Sequence, residues 1–191
     1  MGHRITIHDI MTNDLDDLFQ GQKADVLYSD PPWGEGNLKF WRTHNGQKGH
    51  HVDWVAFMRR LKFLADRHVK GSLFIETGMR FEKDVESVFG KPQGRYVIKY
   101  KGGGQILPNL LLGYGEQPKN DPTGKTGFDV PFTALSSLPT PPKSVFDCCV
   151  GLGTTAKVAK KLGILCYANE LNPKRAAKTM KILDFELVGK G

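Results

Sequence analysis

The stretch from Val145 to Glu170 limits the folds open to this chain more than any other. An apolar run, Val145-Phe146-Asp147-Cys148-Cys149-Val150, meets the turn Gly151-Leu152-Gly153 and passes through Thr154-Thr155-Ala156 into Lys157-Val158-Ala159-Lys160-Lys161-Leu162, which reads as a helix. Gly163 closes the helix, and a second apolar run, Ile164-Leu165-Cys166-Tyr167-Ala168, ends at Asn169-Glu170. Strand, glycine turn, helix and strand in this order form the unit of a parallel α/β sheet. The glycines let backbone approach a ligand closely, and the helix N-terminus carries partial positive charge. Glu170 follows the turn by about 20 residues, where nucleotide-binding folds place the carboxylate that accepts from ribose hydroxyls. A dinucleotide site also fits, because Ala156 supplies the small residue its fingerprint needs. Asp147 argues for a different ligand: it would repel a pyrophosphate and suits a cationic amino acid moiety.

A second element leads the first by more than a hundred residues. Asp30-Pro31-Pro32-Trp33 follows the apolar run Ala24 to Ser29, at what should be the carboxyl end of a buried strand. Two prolines fix the backbone, so the Asp30 carboxylate and the Pro31 carbonyl hold defined directions and face one point. Trp33 can cover the face of a flat ligand, as sites that take an extruded base do. Two acceptors on an exocyclic amine favour its pyramidal, nucleophilic form.

The quartet resembles the D-P-P-[YFW] motif of amino-directed nucleic-acid methyltransferases. Asp147 to Thr155 is similar to the D-x-F/C-x-G-x-G-T-T cofactor motif of the same enzymes. The order, D-P-P-W first and glycine motif last, is that of the family's beta class. The resemblance implies an α/β, class I S-adenosylmethionine-dependent methyltransferase (Rossmann-like) fold, circularly permuted. Its sheet should be seven-stranded and mostly parallel, with an antiparallel C-terminal-type hairpin. It implies Asp30, Pro31, Pro32 and Trp33 as catalytic residues acting on the N6 amine of adenine in DNA. It further implies S-adenosylmethionine as cofactor, with Asp147, Gly151, Gly153 and Thr154 at its methionine end, Glu170 on the ribose, Asp9 at the adenine and Asp30 beside the methyl.

The strands expected are Arg4–His8, Ala24–Ser29, Ser72–Thr77, Arg95–Tyr100, Leu110–Tyr114, Ser144–Cys148 and Ile164–Ala168, with the fourth and fifth antiparallel. Further helices are expected at Trp54–Arg67, Phe81–Phe89 and Pro173–Ile182. Trp54, Phe57, Met58, Leu61 and Leu64 form a core-facing stripe on the first. Cys148, Cys149 and Cys166 read as small core side chains, and no Cys/His grouping has metal-ligand spacing.

At 191 residues the chain reads as a single methyltransferase domain, 1–191. No long apolar run or leader occurs, so a cytoplasmic protein of bacterial or phage type is expected. The net charge of +7 is uneven. Residues 34–53 are expected to form a nucleic-acid-binding loop in which Lys39, Arg42 and Lys48 meet phosphates while Phe40 and Trp41 stack. Lys99 and Lys101, next to three glycines, should line the same cleft. Gly124-Lys125-Thr126 lacks the upstream glycine of a P-loop and reads as a turn.

The chain departs from the family pattern in three places, one of them Trp33 itself, since tryptophan after the prolines also occurs in the adenine methyltransferases that act on messenger RNA. Residues 115–130 give only a short linker where DNA enzymes of this class carry a target-recognition region, so specificity must be loop-borne or supplied by a partner subunit; a homodimer is the other expectation. The family's K-P dipeptide corresponds to Val130-Pro131, which leaves Thr133 or a backbone amide to meet the methionine carboxylate. Alternatives are the N4 amine of cytosine, for which the family more often has Ser in place of Asp30, and adenine in RNA. A non-catalytic methyltransferase-fold subunit that binds nucleic acid for a partner, and methylation of a protein glutamine by a family with N-P-P-Y, are further alternatives.

Overall fold

The computed structural model describes residues 2–47, 52–102 and 104–189. Eight strands alternate with helices: β1 His3–Thr6, α1 Asp16–Phe19, β2 Val26–Ser29, α2 Gly34–His44, α3 Trp54–His68, β3 Leu73–Gly78, α4 Glu82–Phe89, β4 Gly94–Gly102, β5 Gln105–Tyr114, α5 Asp129–Ser136, β6 Ser144–Asp147, α6 Thr154–Leu162, β7 Leu165–Asn169, α7 Pro173–Met180 and β8 Phe185–Leu187. They form one sheet in the order β4-β5-β3-β2-β6-β7-β1-β8. Among the described residues only β5 runs against the other strands, pairing antiparallel with β3 and β4.

The strands are apolar on both faces because helices cover both, as parallel sheets require. Alternate residues sort cleanly. Leu27, Ile75, Phe146 and Tyr167 pack with α1, α3 and α4, whereas Val26, Tyr28, Phe74, Val145, Cys166 and Ala168 pack with α5, α6 and α7. The α3 stripe is buried as its spacing demands, and Asp53 caps the helix by accepting from the Ala56 amide at 2.7 Å. Among the described residues no helix is long and apolar enough to cross a membrane.

At the centre, β2 and β6 are neighbours, with Val26 opposite Val145. From β6 the chain moves outward through α6 to β7, while β2 leads through α3 to β3 on the other side. The crevice between the carboxyl ends of β6 and β2 is therefore the switch point at which open α/β sheets bind ligands.

The structure corrects the sequence expectations in several places, among them β5, which begins at Gln105 and not at Leu110, and α1, which is not among the expected helices. The sheet has eight strands, not seven, because Phe185–Leu187 adds to the free edge of β1 in parallel register. Residues 34–53 are not simply a loop, since Gly34–His44 is the helix α2. Its inward stripe is Gly34, Leu38 and Arg42, spaced by four, and an arginine in that stripe hides its periodicity. Finally, the 115–130 linker ends early, because α5 begins at Asp129 and takes Pro131 in its first turn, where a missing N–H costs nothing. The linker lies along the outer edge of β4: the Lys99 amide donates to the Lys125 carbonyl at 2.8 Å and the Gly124 amide to Val97 at 2.9 Å.

Candidate active site

A cavity of about 620 Å³ opens at the switch point. Asp30 to Trp33 from the end of β2 forms one wall, and Asp147, Gly151 and Thr154 from the β6–α6 turn form another. Glu170 after β7 and Asp9 after β1 face in from the far side. Four acids widely separated in the chain thus share one space.

The D-P-P-W turn is braced on several sides. The Trp54 indole donates to the Pro32 carbonyl at 2.6 Å, and the Trp33 ring stands edge-on to Tyr100 at 4.8 Å. Gly34 follows with φ +71, and a Cβ there would lie 2.3 Å from the Phe81 ring, so only glycine lets the chain turn into α2 here. The Trp33 indole also donates to Asp30 Oδ1 at 3.0 Å, a bond within the quartet that the sequence does not announce. Asp30 keeps further acceptor sites towards the cavity. The side chain is exposed towards the cavity, yet the protein packed around the turn desolvates the carboxyl enough to raise its pKa to about 6 against the lowering effect of the indole.

Glu76, missed in the sequence, extends the β2–β3 register opposite Asp30 and lines the same cavity. The Tyr28 hydroxyl donates to it through a short hydrogen bond. Burial, then the Asp30 charge, holds Glu76 well above the usual carboxylate range, against the Tyr28 bond. The signal was an acid inside the run Leu73-Phe74-Ile75-Glu76-Thr77, since buried acids need a reason.

The glycine turn is clamped by the two acids around it. Glu170 accepts from the Gly151 amide at 2.8 Å and from the Asn172 amide at 2.9 Å, which fastens the turn to the end of β7. Asp147 accepts from the Cys149 amide at 3.0 Å and the Thr155 hydroxyl at 2.6 Å. Burial nevertheless pushes Asp147 up to about 7, helped by the charges of Asp30 and Glu170. Asn169, also missed, ties three strand ends together: it accepts from the Thr6 hydroxyl at 2.9 Å and donates to the His8 and Cys148 carbonyls at 3.1 and 3.2 Å.

Several candidate residues lie elsewhere than expected. Gly153 does not line the cavity; its φ of +82 turns it against α7 and the chain after it, where a Cβ would lie 2.4 Å from Ile182 and 3.0 Å from Thr179. Gly151 does line it, and a Cβ there would meet nothing closer than 3.8 Å. The two glycines should therefore respond differently to alanine. Gly153→Ala is expected to destabilise the fold by about 1–3 kcal/mol or more, whereas Gly151→Ala should cost about 1–2 kcal/mol and act mainly on ligand binding. Thermal melts alongside ligand titration check this; equal melting temperatures for the two variants would refute it.

Thr133 also lies off the cavity, because it occupies the second turn of α5, with its carbonyl accepting from Ser137; Thr126 and Gly127 line the wall instead. Arg42 is not on the surface as expected: it is buried in a two-pronged pair with Asp9, at 3.0 and 2.9 Å. That pair also commits Asp9. Trp41 lies beneath the Arg175 guanidinium, 3.8 Å from its ring centre, and Asn45 bonds Asn172, so α2 is fastened across the cavity to α7. Lys39 and Phe40 remain on the outer face of α2, Lys99 and Lys101 line the cavity mouth, and Lys48 lies outside the described residues.

No protein-family model matches the chain, and neither does any curated protein. Solved structures do match. The chain has the fold of class I methyltransferases, an α/β sheet with helices on both faces. It resembles M1.HpyAVI solved with S-adenosylmethionine, with TM-score 0.66 and 16% identity over 93% of this chain and 98% of that one. TTHA0409 of Thermus thermophilus, a candidate DNA modification methylase solved with S-adenosyl-L-methionine, matches with TM-score 0.60 and 15% identity over 99% of each chain. The PvuII DNA methyltransferase, which is cytosine-N4-specific, matches with TM-score 0.67 and 11% identity over 95% of this chain and 86% of that one.

Proposed function

We propose that the chain is an S-adenosylmethionine-dependent methyltransferase that modifies the exocyclic N6 amine of adenine in DNA. The observation that carries this reading is the meeting of Asp30 with the glycine turn and Glu170 in one cavity. A base presented to Asp30 and a nucleoside cofactor held by the turn would face each other across it. Two of the similar structures hold S-adenosylmethionine, and one is named a DNA methyltransferase.

The cavity suits this cofactor chemically. Asp30, Glu76 and Asp147 face a common space, and desolvation raises the pKa of each, so a cationic ligand placed among them would favour their ionised forms. When bound, S-adenosylmethionine supplies an electrophilic methyl group on a cationic sulfur. Asp147 and the Gly151 turn would hold its amino acid end, and Glu170, already fixed by two amides, has acceptor sites left for the ribose. Asp30 and the Pro31 carbonyl would accept from the two N–H groups of the target amine, and Trp33 would bound its ring. The neutral amine is too weak an acid to ionise first, so Asp30 stabilises the charge that grows on nitrogen and accepts the proton after transfer. Holding the two reactants together contributes about 7–11 kcal/mol to lowering the barrier.

Adenine is preferred to cytosine on the strength of Asp30. The cytosine-N4-specific neighbour keeps the second reading in play, since both amines present the same two N–H groups. The test is incubation with labelled S-adenosylmethionine and separate DNA and RNA substrates, followed by nucleoside mass spectrometry. N6-methyladenine in DNA is the expected product; N4-methylcytosine would move the assignment to the second reading, and no methylated nucleoside would overturn both.

Binding should depend on pH in a defined direction. A cationic ligand favours ionised carboxylates, so it lowers the pKa of Asp30, near 6, and Asp147, near 7, and releases protons on binding. Affinity should therefore rise with pH up to about 6 on account of Asp30 and up to about 7 on account of Asp147, and level off above, by up to about tenfold per pH unit for each proton released. Calorimetry in buffers of different ionisation enthalpy measures that release directly; a pH-independent affinity would remove these acids from the cation site.

A further inference from the structure

The hairpin of β4 and β5 outgrows the sheet at the edge where the cavity opens. The end of β3, Gly78, pairs with Asn109, so the four pairs from Lys99–Pro108 to Gly102–Gln105 have no β3 beside them. At about 3.4 Å per residue the overhang is roughly 14 Å. On its other side the linker bridge stops at Lys99 and Thr126. From Tyr100 onward, the described residues form a two-stranded ribbon with both edges free.

This ribbon is apolar where a solvated ribbon would be polar. Ile106 is 60% exposed and Leu107 47%, and Tyr100, which touches Trp33, is 40% exposed. Tyr100 lies opposite Leu107 and Lys101 opposite Ile106, so each face carries an aliphatic side chain at the tip. Lys99 and Lys101 flank them, and no acidic residue occurs from Lys99 to Tyr114. Exposed aliphatic groups set among basic ones fit a partner with a negative outside and an apolar interior. A nucleic-acid duplex is such a partner, with phosphates outside and stacked bases within.

We propose that the hairpin tip is a wedge: Ile106 and Leu107 enter the duplex beside the target base and fill the space it leaves, while Lys99 and Lys101 take the adjoining phosphates. The proposal rests on the reading of the chain as a DNA base methyltransferase. An amine inside a duplex cannot reach Asp30, so the base must leave the stack, and inserted aliphatic side chains offset part of the lost stacking. The tip lies beside the D-P-P-W turn through the Tyr100 to Trp33 contact, which puts the wedge next to the pocket that would receive the base.

The test compares duplex and single-stranded forms of the same DNA as methyl acceptors. Wild-type protein is set against Ile106→Ser/Leu107→Ser, a change of exposed side chains that leaves the core intact. Transfer to duplex should fall about 10- to 100-fold, while transfer to the single strand stays within about twofold, because only the duplex requires extrusion. In parallel, Lys99→Ala/Lys101→Ala should weaken binding of both forms and reduce the slope of log affinity against log salt by about 1.8 on duplex. Equal transfer by the serine variant and wild type on both substrates, or equal loss on both, would overturn the wedge and leave the methyltransferase reading standing. No transfer by wild type to either would overturn the reading and the wedge with it. Unchanged duplex transfer with an altered sedimentation coefficient of the free protein would overturn the wedge and assign the hairpin to a contact between copies of the chain.

Discussion

Asp30→Asn is expected to lower the rate of methyl transfer by about 100- to 1000-fold, the usual cost of removing one preorganised electrostatic group. The asparagine form isolates the charge. In the structure Asp30 also accepts from the Trp33 indole at 3.0 Å, so Asp30→Ala would release Trp33 as well as remove the acceptor. An asparagine keeps an oxygen for the indole and occupies the same volume. Base capture should then survive while turnover falls, and single-turnover rates measured at saturating DNA separate the two. Alanine at the same position should show both losses. A folded Asp30→Asn protein with full single-turnover rate would end the proposed mechanism, because nothing else in the quartet carries the charge.

The parts of the fold that were legible in the sequence are those in which one local rule acts alone. The unit from Val145 to Glu170 is legible because apolar runs, a glycine turn and a helix pattern occur in a fixed order over a short span. The hairpin is legible from Arg95–Tyr100 and Leu110–Tyr114 on either side of consecutive glycines, whereas the first five residues of β5, from Gln105 to Asn109, are not. What escaped depends on contacts between distant residues. β8 has three residues and becomes a strand only because the edge of β1 is free. The helix α2 was hidden because one of its inward residues is charged, and the arginine can be buried only because Asp9, 33 residues earlier, accepts its two N–H groups.

The candidate site shows the same division. Asp30 and Glu170 come to one cavity as the motifs imply, yet the two glycines of the turn have different surroundings that sequence cannot separate. Both need positive φ, and only the position of Ile182 shows that Gly153 faces protein rather than cavity. Glu76 was visible as an acid in an apolar strand, but its place beside Asp30 follows from the β2–β3 register. Basic composition misled for a related reason: a count of arginines and lysines cannot tell a side chain that meets phosphate from one already paired inside.

Arg42→Ala decides between those two fates. If Arg42 were a phosphate contact, its loss would weaken DNA binding and leave stability nearly unchanged. The structure instead predicts a loss of about 3–5 kcal/mol of folding stability, because the substitution strands Asp9 as an unpaired, largely buried charge. It should also loosen α2 over the cavity, where Trp41 and Asn45 are the remaining fastenings to α7. Urea unfolding of the ligand-free protein measures the first effect, with Lys39→Ala, an exposed position on the same helix, as the control that should stay within about 0.5 kcal/mol of wild type. Removing both charges with Asp9→Asn/Arg42→Met should recover much of the loss, since a buried pair can be replaced by uncharged groups of similar volume at little cost. A drop of less than about 1 kcal/mol for Arg42→Ala would mean that water screens the pair as it does on a surface, and would return Arg42 to the residues available for DNA.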